Sequence, residues 1–167
     1  FMFNRGHWKK FEDTKEGPRV GARRNGKPNY DVDGADEKSF STDWLTDKVI
    51  DFVKFNRNKP FCYMVSYPDP HGPNKVRSPY NTMYADAKVP IPRSIQKTLV
   101  QTPEWGGRAG PRLTADTVRA IMPSYYGMVK CLDDNIGRIL EILRKNVLLE
   151  RTVIVFTSDH GDLCGEH

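Results

Sequence analysis

Asp159 and His160 follow directly on the run Thr152-Val-Ile-Val-Phe-Thr157, and Asp162, Glu166 and His167 lie just beyond them. Three carboxylates and two imidazoles within nine residues, with Gly161 and Gly165 among them, are a density of reactive types that packing does not require. A carboxylate oxygen and an imidazole nitrogen are both ordinary metal donors. The glycines let the backbone turn tightly beside them. Asp159 and His160 are therefore candidate metal ligands, and Asp162, Glu166 and His167 are candidates to orient those ligands through hydrogen bonds. The chemistry such a centre serves is hydrolysis, with a cation polarising an ester oxygen or holding a nucleophile. A solvated loop capped by a histidine is the plainer alternative.

The elements that must position these residues are readable from periodicity. Phe61-Cys-Tyr-Met-Val-Ser66 is a short, nearly continuous apolar run, as expected of a buried parallel strand. It empties into Tyr67-Pro-Asp-Pro-His71-Gly-Pro. Before it, Trp44, Leu45, Val49, Phe52 and Val53 recur at helical spacing, with Ser41 or Thr42 as the expected cap and a stop between Asn56 and Pro60. A second helix is expected from Pro123 or Ser124 to Lys145. Its apolar stripe is Tyr125, Val129, Leu132, Ile136, Ile139, Leu140 and Leu143, and Asn146 is its stop. The strand Thr152–Thr157 follows. Two strands joined by a helical crossover should be parallel and right-handed. Ligands of open α/β sheets bind beyond the carboxyl ends of the strands, so the loops carrying His71 and Asp159 are expected to face one crevice. Asp69 reads as a turn former rather than a ligand. The pair Asp133-Asp134 falls within the helix, in a surface or capping role.

Residues 1–40 are polar and rich in Gly, Asn, Lys and Asp, and read as an irregular segment ahead of a strand/helix core over 41–167. Residues 67–114 form a long connection holding eight of the twelve prolines. A loop of that length in a compact domain usually has a function. The 167 residues suit one domain or a piece of a larger one. No stretch is long and apolar enough to span a membrane. Both ends read as cut, so the lack of a visible signal peptide carries no information. The net charge of +5 gathers early, in Lys9, Lys10, Arg19, Arg23, Arg24 and Lys27. This reads as a solvated loop or an attraction for anionic substrates, and no nucleic-acid motif accompanies it. Cys62, Cys131 and Cys164 lack the spacing of a disulfide framework or zinc site. Cys62 and Cys131 are expected to be buried thiols, and Cys164 lies in the candidate site loop.

Three segments, in order, resemble the sulfatases of the alkaline-phosphatase superfamily. Lys59-Pro-Phe-Cys-Tyr-Met-Val-Ser-Tyr-Pro-Asp-Pro-His71 is similar to that family's strand and substrate loop. Tyr125-Tyr-Gly-Met-Val-Lys-Cys-Leu-Asp-Asp-Asn-Ile-Gly137-Arg-Ile-Leu resembles its helix leading to the last strand. Thr157-Ser-Asp-His-Gly-Asp162 with Gly165-Glu-His167 resembles its second metal-binding segment. The likeness covers roughly residues 40–167. It implies an α/β fold with a partial, parallel-sheet alkaline-phosphatase-like core and long Pro-rich loops. The family's formylglycine nucleophile arises from a Cys in a Cys-x-Pro/Ala-x-Arg motif, which none of the three cysteines matches. Its first Asp pair of metal ligands and its Gly-Lys-Trp-His segment are absent too, Gly6-His7-Trp8-Lys9 having another order. The resemblance therefore implies an internal fragment holding about half of an active site, with the formylglycine expected upstream.

Read through that resemblance, the intact parent is a metal-dependent sulfuric ester hydrolase acting on a small-molecule or saccharide sulfate ester. It would be periplasmic, secreted or lysosomal. His71 is the implied sulfate-binding residue and the possible proton donor to the leaving oxygen. Asp159 and His160 fill metal positions, with Ca2+ ranked first. The imidazole keeps Mn2+ and Zn2+ open. A phosphodiester or phosphonate monoester hydrolase of the same superfamily is the alternative reading, since Ser-Asp-His-Gly occurs in both branches. A non-catalytic sulfatase-like binding module is a third. The fragment alone is expected to be inactive and to bind divalent ions only weakly, because two donors fall short of a full coordination shell.

Overall fold

The computed structural model describes residues 23–24, 27–28, 32, 34–96 and 113–165. The architecture among them is helical. A two-residue antiparallel ladder, β1 (Arg23–Arg24) with β2 (Lys27–Pro28), pairs Arg23 with Pro28 and Arg24 with Lys27. Helix α1 spans Ser41–Asn56, α2 is the single turn Tyr80–Met83, and α3 spans Ala115–Lys145. Two 3-10 turns, Arg93–Gln96 and Leu149–Arg151, complete the elements.

α1 starts where the spacing places it, but its cap differs. Phe40 is the capping residue, in extended backbone and without a side-chain cap. The turn before it is closed by Asp36, whose Oδ1 accepts from Lys38 N (3.0 Å), Ser39 N (2.9 Å) and Ser39 Oγ (2.7 Å). Ser41 and Thr42, the expected caps, lie inside the helix and are buried. α3 begins eight residues before Pro123, not at it. Thr114 caps it by accepting from Thr117 N at 3.1 Å. A proline inside a helix removes one backbone donor and crowds the turn before it. The extra turns bury Val118. The stop at Asn146 is as expected, and its Nδ2 donates to Ile142 O at 2.8 Å.

α1 and α3 run side by side in the same direction, since Asp43 meets Asn135 and Val49 and Val53 pack with Leu143. Two apolar clusters flank the middle of this pair. Phe40, Val76, Tyr80, Met128 and Cys131 form one, and Val49, Val53, Leu143 and Leu148 form the other. Gly127 lets α2 press onto α3, because a Cβ there would lie 2.2 Å from Tyr80 O. The buried line of α3 is Val118, Gly127, Met128, Cys131, Asn135 and Leu143. It is turned from the expected stripe, and Val129 is exposed. The reason is chemical: Cys131 and Asn135 face the carboxylate of Asp43.

The expected buried parallel strands are the principal departure. Residues 61–66 and 152–157 carry no regular secondary structure and form no ladder with one another. Phe61 and Val65 pack against the second cluster, and Phe61 and Tyr63 sit on Phe52 with ring centroids 5.6 and 4.3 Å away. Val153, Val155 and Phe156 are largely exposed, as is Cys62, which was expected to be buried. An apolar run becomes a buried strand only when neighbours cover it on both faces, and the described residues supply no such neighbours here. The connection 67–114 is not structureless, since α2 and the turn Arg93–Gln96 lie within it. Its residues 97–112 and most of the segment 1–40 lie outside the described residues.

Candidate functional site

His71 sits on a tight loop between residues 61–68 and α2. Its backbone N–H donates to Pro68 O at 3.1 Å, and its ring Nδ1 lies 2.8 Å from Gly72 O. His71 is exposed. The loop is fastened to α1 on both sides. Thr42 Oγ1 donates to Asp69 Oδ2, and the hydroxyls of Thr46 and Tyr67 are 2.8 Å apart. Past His71, Arg77 makes a two-pronged pair with Asp43, Nε to Oδ2 at 2.7 Å and Nη2 to Oδ1 at 2.9 Å. Both side chains of that pair are buried.

The pair is completed from α3. Asn135 Nδ2 donates to Asp43 Oδ1 at 3.1 Å, and Arg138 approaches the same oxygen at 3.8 Å while pairing with Asp47. The hydrogen bond and the charge of Asp43 drive the Arg77 pKa upward. Burial, with the adjacent charge of Asp43, pushes the Cys131 thiol up to about 12 and leaves it inert. Asp69 is partly buried, and this enclosure raises its carboxyl to about 6 against the opposing hydrogen bond from Thr42, with the charge of Asp43 adding to the rise.

Asp159 and His160 follow residues 152–157 on an open segment rather than at a strand end. His160 N donates to Asp159 Oδ1 at 2.9 Å, and Nε2 is 3.8 Å from Oδ2. Ser158 Oγ donates to His160 O. Asp159, His160 and Asp162 are exposed. The segment ends at Cys164 and Gly165, whose φ values are 46° and 95°. Gly165 packs under Ile95 and Val118, and its carbonyl accepts from Ser94 Oγ. Burial raises the Cys164 thiol, which argues against a reactive thiolate there. Glu166 and His167 lie outside the described residues.

The donor set decides what these residues can hold. Among the described residues no three His, Cys, Asp or Glu side chains converge. Asp159 and His160 supply two donors, whereas calcium takes about six to eight oxygens and zinc about four ligands. The described residues therefore do not by themselves fit a metal ion. No hydrogen bond or ion pair joins His71 to Asp159 or His160 among them. The Asp133-Asp134 pair is a helix-surface feature, with Asp134 accepting from Lys130 at 2.6 Å and from the Tyr80 hydroxyl at 2.9 Å. None of the described helices is long and apolar enough to cross a membrane.

The sulfatase family model matches residues 4–167, nearly the whole chain. The chain belongs to the sulfatase family. An arylsulfatase of Clostridium perfringens is 30% identical over 139 residues, which cover 80% of this chain and 29% of that protein. Human iduronate 2-sulfatase is 29% identical over 180 residues, 95% of this chain and 32% of that enzyme. The multifunctional alkaline phosphatase superfamily protein PehA of Trinickia caryophylli is 27% identical over 149 residues, 78% of this chain and 29% of its own length. The sulfatase chain thus spans about three-tenths of the length of these curated relatives. Sulfatases of this family generally use a metal ion and a formylglycine, and their fold is α/β.

The buried polar group around Asp43 escaped the sequence reading. Its signal was present: Thr42, Asp43 and Thr46 lie on the same helical face as Val49 and Val53. Read by hydropathy alone, that face ends at Val49.

Proposed function

We propose that this chain supplies the substrate-loop half of a sulfuric ester hydrolase. His71 binds the sulfate group and gives a proton to the departing alkoxide oxygen. The observation that carries the reading is an exposed imidazole on a loop bound at both sides to α1, in a chain of the sulfatase family. Cleavage of a sulfate ester expels an alkoxide, which is a poor leaving group until it is protonated. A histidine titrating near neutrality can hold that proton at working pH and release it as the bond breaks. Its Nδ1 is turned to Gly72 O, which leaves Nε2 as the atom presented to substrate.

Asp159 and His160 are proposed as two ligands of the family's metal, with calcium ranked first and manganese or zinc behind it. Asp162, Glu166 and His167 are proposed to orient them. The α/β core of the family is the proposed setting in which residues 61–66 and 152–157 become parallel strands that bring His71 and Asp159 to one edge. The substrate is a small-molecule or saccharide sulfate ester, and the compartment is periplasmic, secreted or lysosomal. On this account the 167-residue chain turns over no aryl sulfate. It also binds calcium no tighter than about millimolar, roughly 4 kcal/mol of binding free energy. Calorimetry giving micromolar affinity would show that other residues ligate.

Sulfate release from an aryl sulfate by the full-length protein tests the function. His71→Ala is expected to lower kcat/KM by about 10²- to 10⁴-fold, the usual contribution of a positioned acid. An unchanged value would remove His71 from the reaction. A second reading, hydrolysis of a phosphodiester or phosphonate monoester, is favoured by the likeness to the multifunctional alkaline phosphatase superfamily protein. A higher kcat/KM on an aryl phosphonate than on the matching sulfate would select it.

A further inference from the structure

Thr42, Asp43, Arg77 and Asn135 take no part in the reaction proposed above, yet they are buried where the His71 loop meets α1. The two sides of that loop end on adjacent residues of one helical turn. Asp69 takes the hydroxyl hydrogen of Thr42, and Arg77 is held by Asp43 at 2.7 and 2.9 Å. His71 lies between Asp69 and Arg77 in the chain. α3 fixes the far side through Asn135, so that side cannot shift without breaking a buried ion pair. The near side rests on the bonds from Asp69 and Tyr67 to Thr42 and Thr46. A reacting group misplaced by about 1 Å can lose about 10²-fold in rate, so these bonds matter to a proton donor.

We propose that Asp69 is a positioning residue for His71: docked on Thr42 beside the Asp43–Arg77 pair, it fixes the near side of the loop and so the place from which the imidazole reaches the leaving oxygen. The proposal rests on the reading of His71 as the donor. Asp69 acts through the loop backbone and touches no substrate. Its enclosure beside the Asp43 charge favours a side chain that is neutral but still accepts a hydrogen bond, which asparagine is and alanine is not. Alanine would leave the hydroxyl of Thr42, fully buried, without its acceptor.

NMR of the chain labelled at its histidine rings reads the consequence directly. Asp69→Ala and Thr42→Val are each expected to move the His71 ring resonances, the double variant no further than either, and Asp69→Asn is expected to keep them in place. The His160 resonances serve as the unmoved control. His71 resonances that stay put in Asp69→Ala, or displacements that add in the double variant, overturn the proposal. If Asp69→Ala does not fold, Thr42→Val carries the same expectation and the same refutation. In the full-length protein, Asp69→Ala should lower kcat on an aryl sulfate by about ten- to a hundredfold, with KM little changed and Asp69→Asn restoring it. Resonances that move as expected while His71→Ala keeps full turnover would sink the donor reading and leave the positioning intact. Loss of turnover in His71→Ala with unmoved resonances in Asp69→Ala would sink the positioning alone.

Discussion

The His71 loop and the Asp159–His160 segment are the two halves of the candidate site, and they are held in opposite ways. The first is tied to two helices by buried bonds: Asp43 to Arg77 and Asn135, Thr42 to Asp69, and Thr46 to Tyr67. Among the described residues the second bonds mainly to itself, through Ser158, Asp159 and His160, and meets Ser94, Ile95 and Val118 at Gly165. Helices satisfy their own backbone, so a loop docked on them needs no strand ladder to hold it. A strand end takes its position from a ladder, and residues 152–157 have none among the described residues. One half of the site is thus held by side chains of two packed helices, and the other has no ladder to hold it among the described residues.

The comparison breaks most visibly at Asp43. Asp43→Ala leaves Arg77 buried without its partner, which costs about 3–5 kcal/mol and should release the His71 loop. The urea midpoint of the chain would fall accordingly, and a shift under about 1 kcal/mol would mean the pair is not the anchor. Asp69 gives a smaller effect with a pH signature. The folded state holds its proton to about 6, whereas an unfolded aspartate releases it near 3.9. The stability this group contributes is therefore complete below pH 3.9, declines as pH rises toward 6, and is level above that. Asp69→Asn should remove that decline and be more stable than the parent by about 1–3 kcal/mol at pH 7. Parallel stability curves for the two proteins between pH 4 and 7 would contradict the enclosure of Asp69. The smallest effect belongs to the other half. Asp159 is exposed, so Asp159→Ala should alter the stability of the chain by no more than about 0.5 kcal/mol. A larger loss would show that the segment is anchored by something beyond its own turn.

The helices were legible because Val49, Phe52 and Val53, or Ile139 and Leu143, repeat at a spacing that only a helix turns to one side. The pairing of those helices was less so. Thr42, Asp43, Thr46 and Asn135 are polar letters at buried positions, and their meaning depends on Arg77 and Asp69, some 27 to 34 residues from their partners on α1. The stripe of α3 was misplaced for the same reason: Asn135, rather than Val129, faces α1. The apolar runs at 61–66 and 152–157 read as buried strands, but apolarity does not reveal which neighbours cover them, and neither run is a strand here. For the site, residue type singles out Asp159 and His160 as candidates, and the family resemblance singles out His71. Asp69 read as a turn former, and its bond to Thr42 could be found only in three dimensions.

The most direct test of a proton-donating His71 is the dependence of rate on the leaving group. The full-length protein and His71→Ala would be compared on a series of aryl sulfates whose phenols span low to high pKa. An acid matters most where the departing oxygen is most basic. The account predicts a small defect on nitrophenyl sulfate that widens steadily toward unactivated phenols and alkyl esters. A defect of the same size across the series would mean that His71 binds sulfate without donating a proton, and would contradict the account.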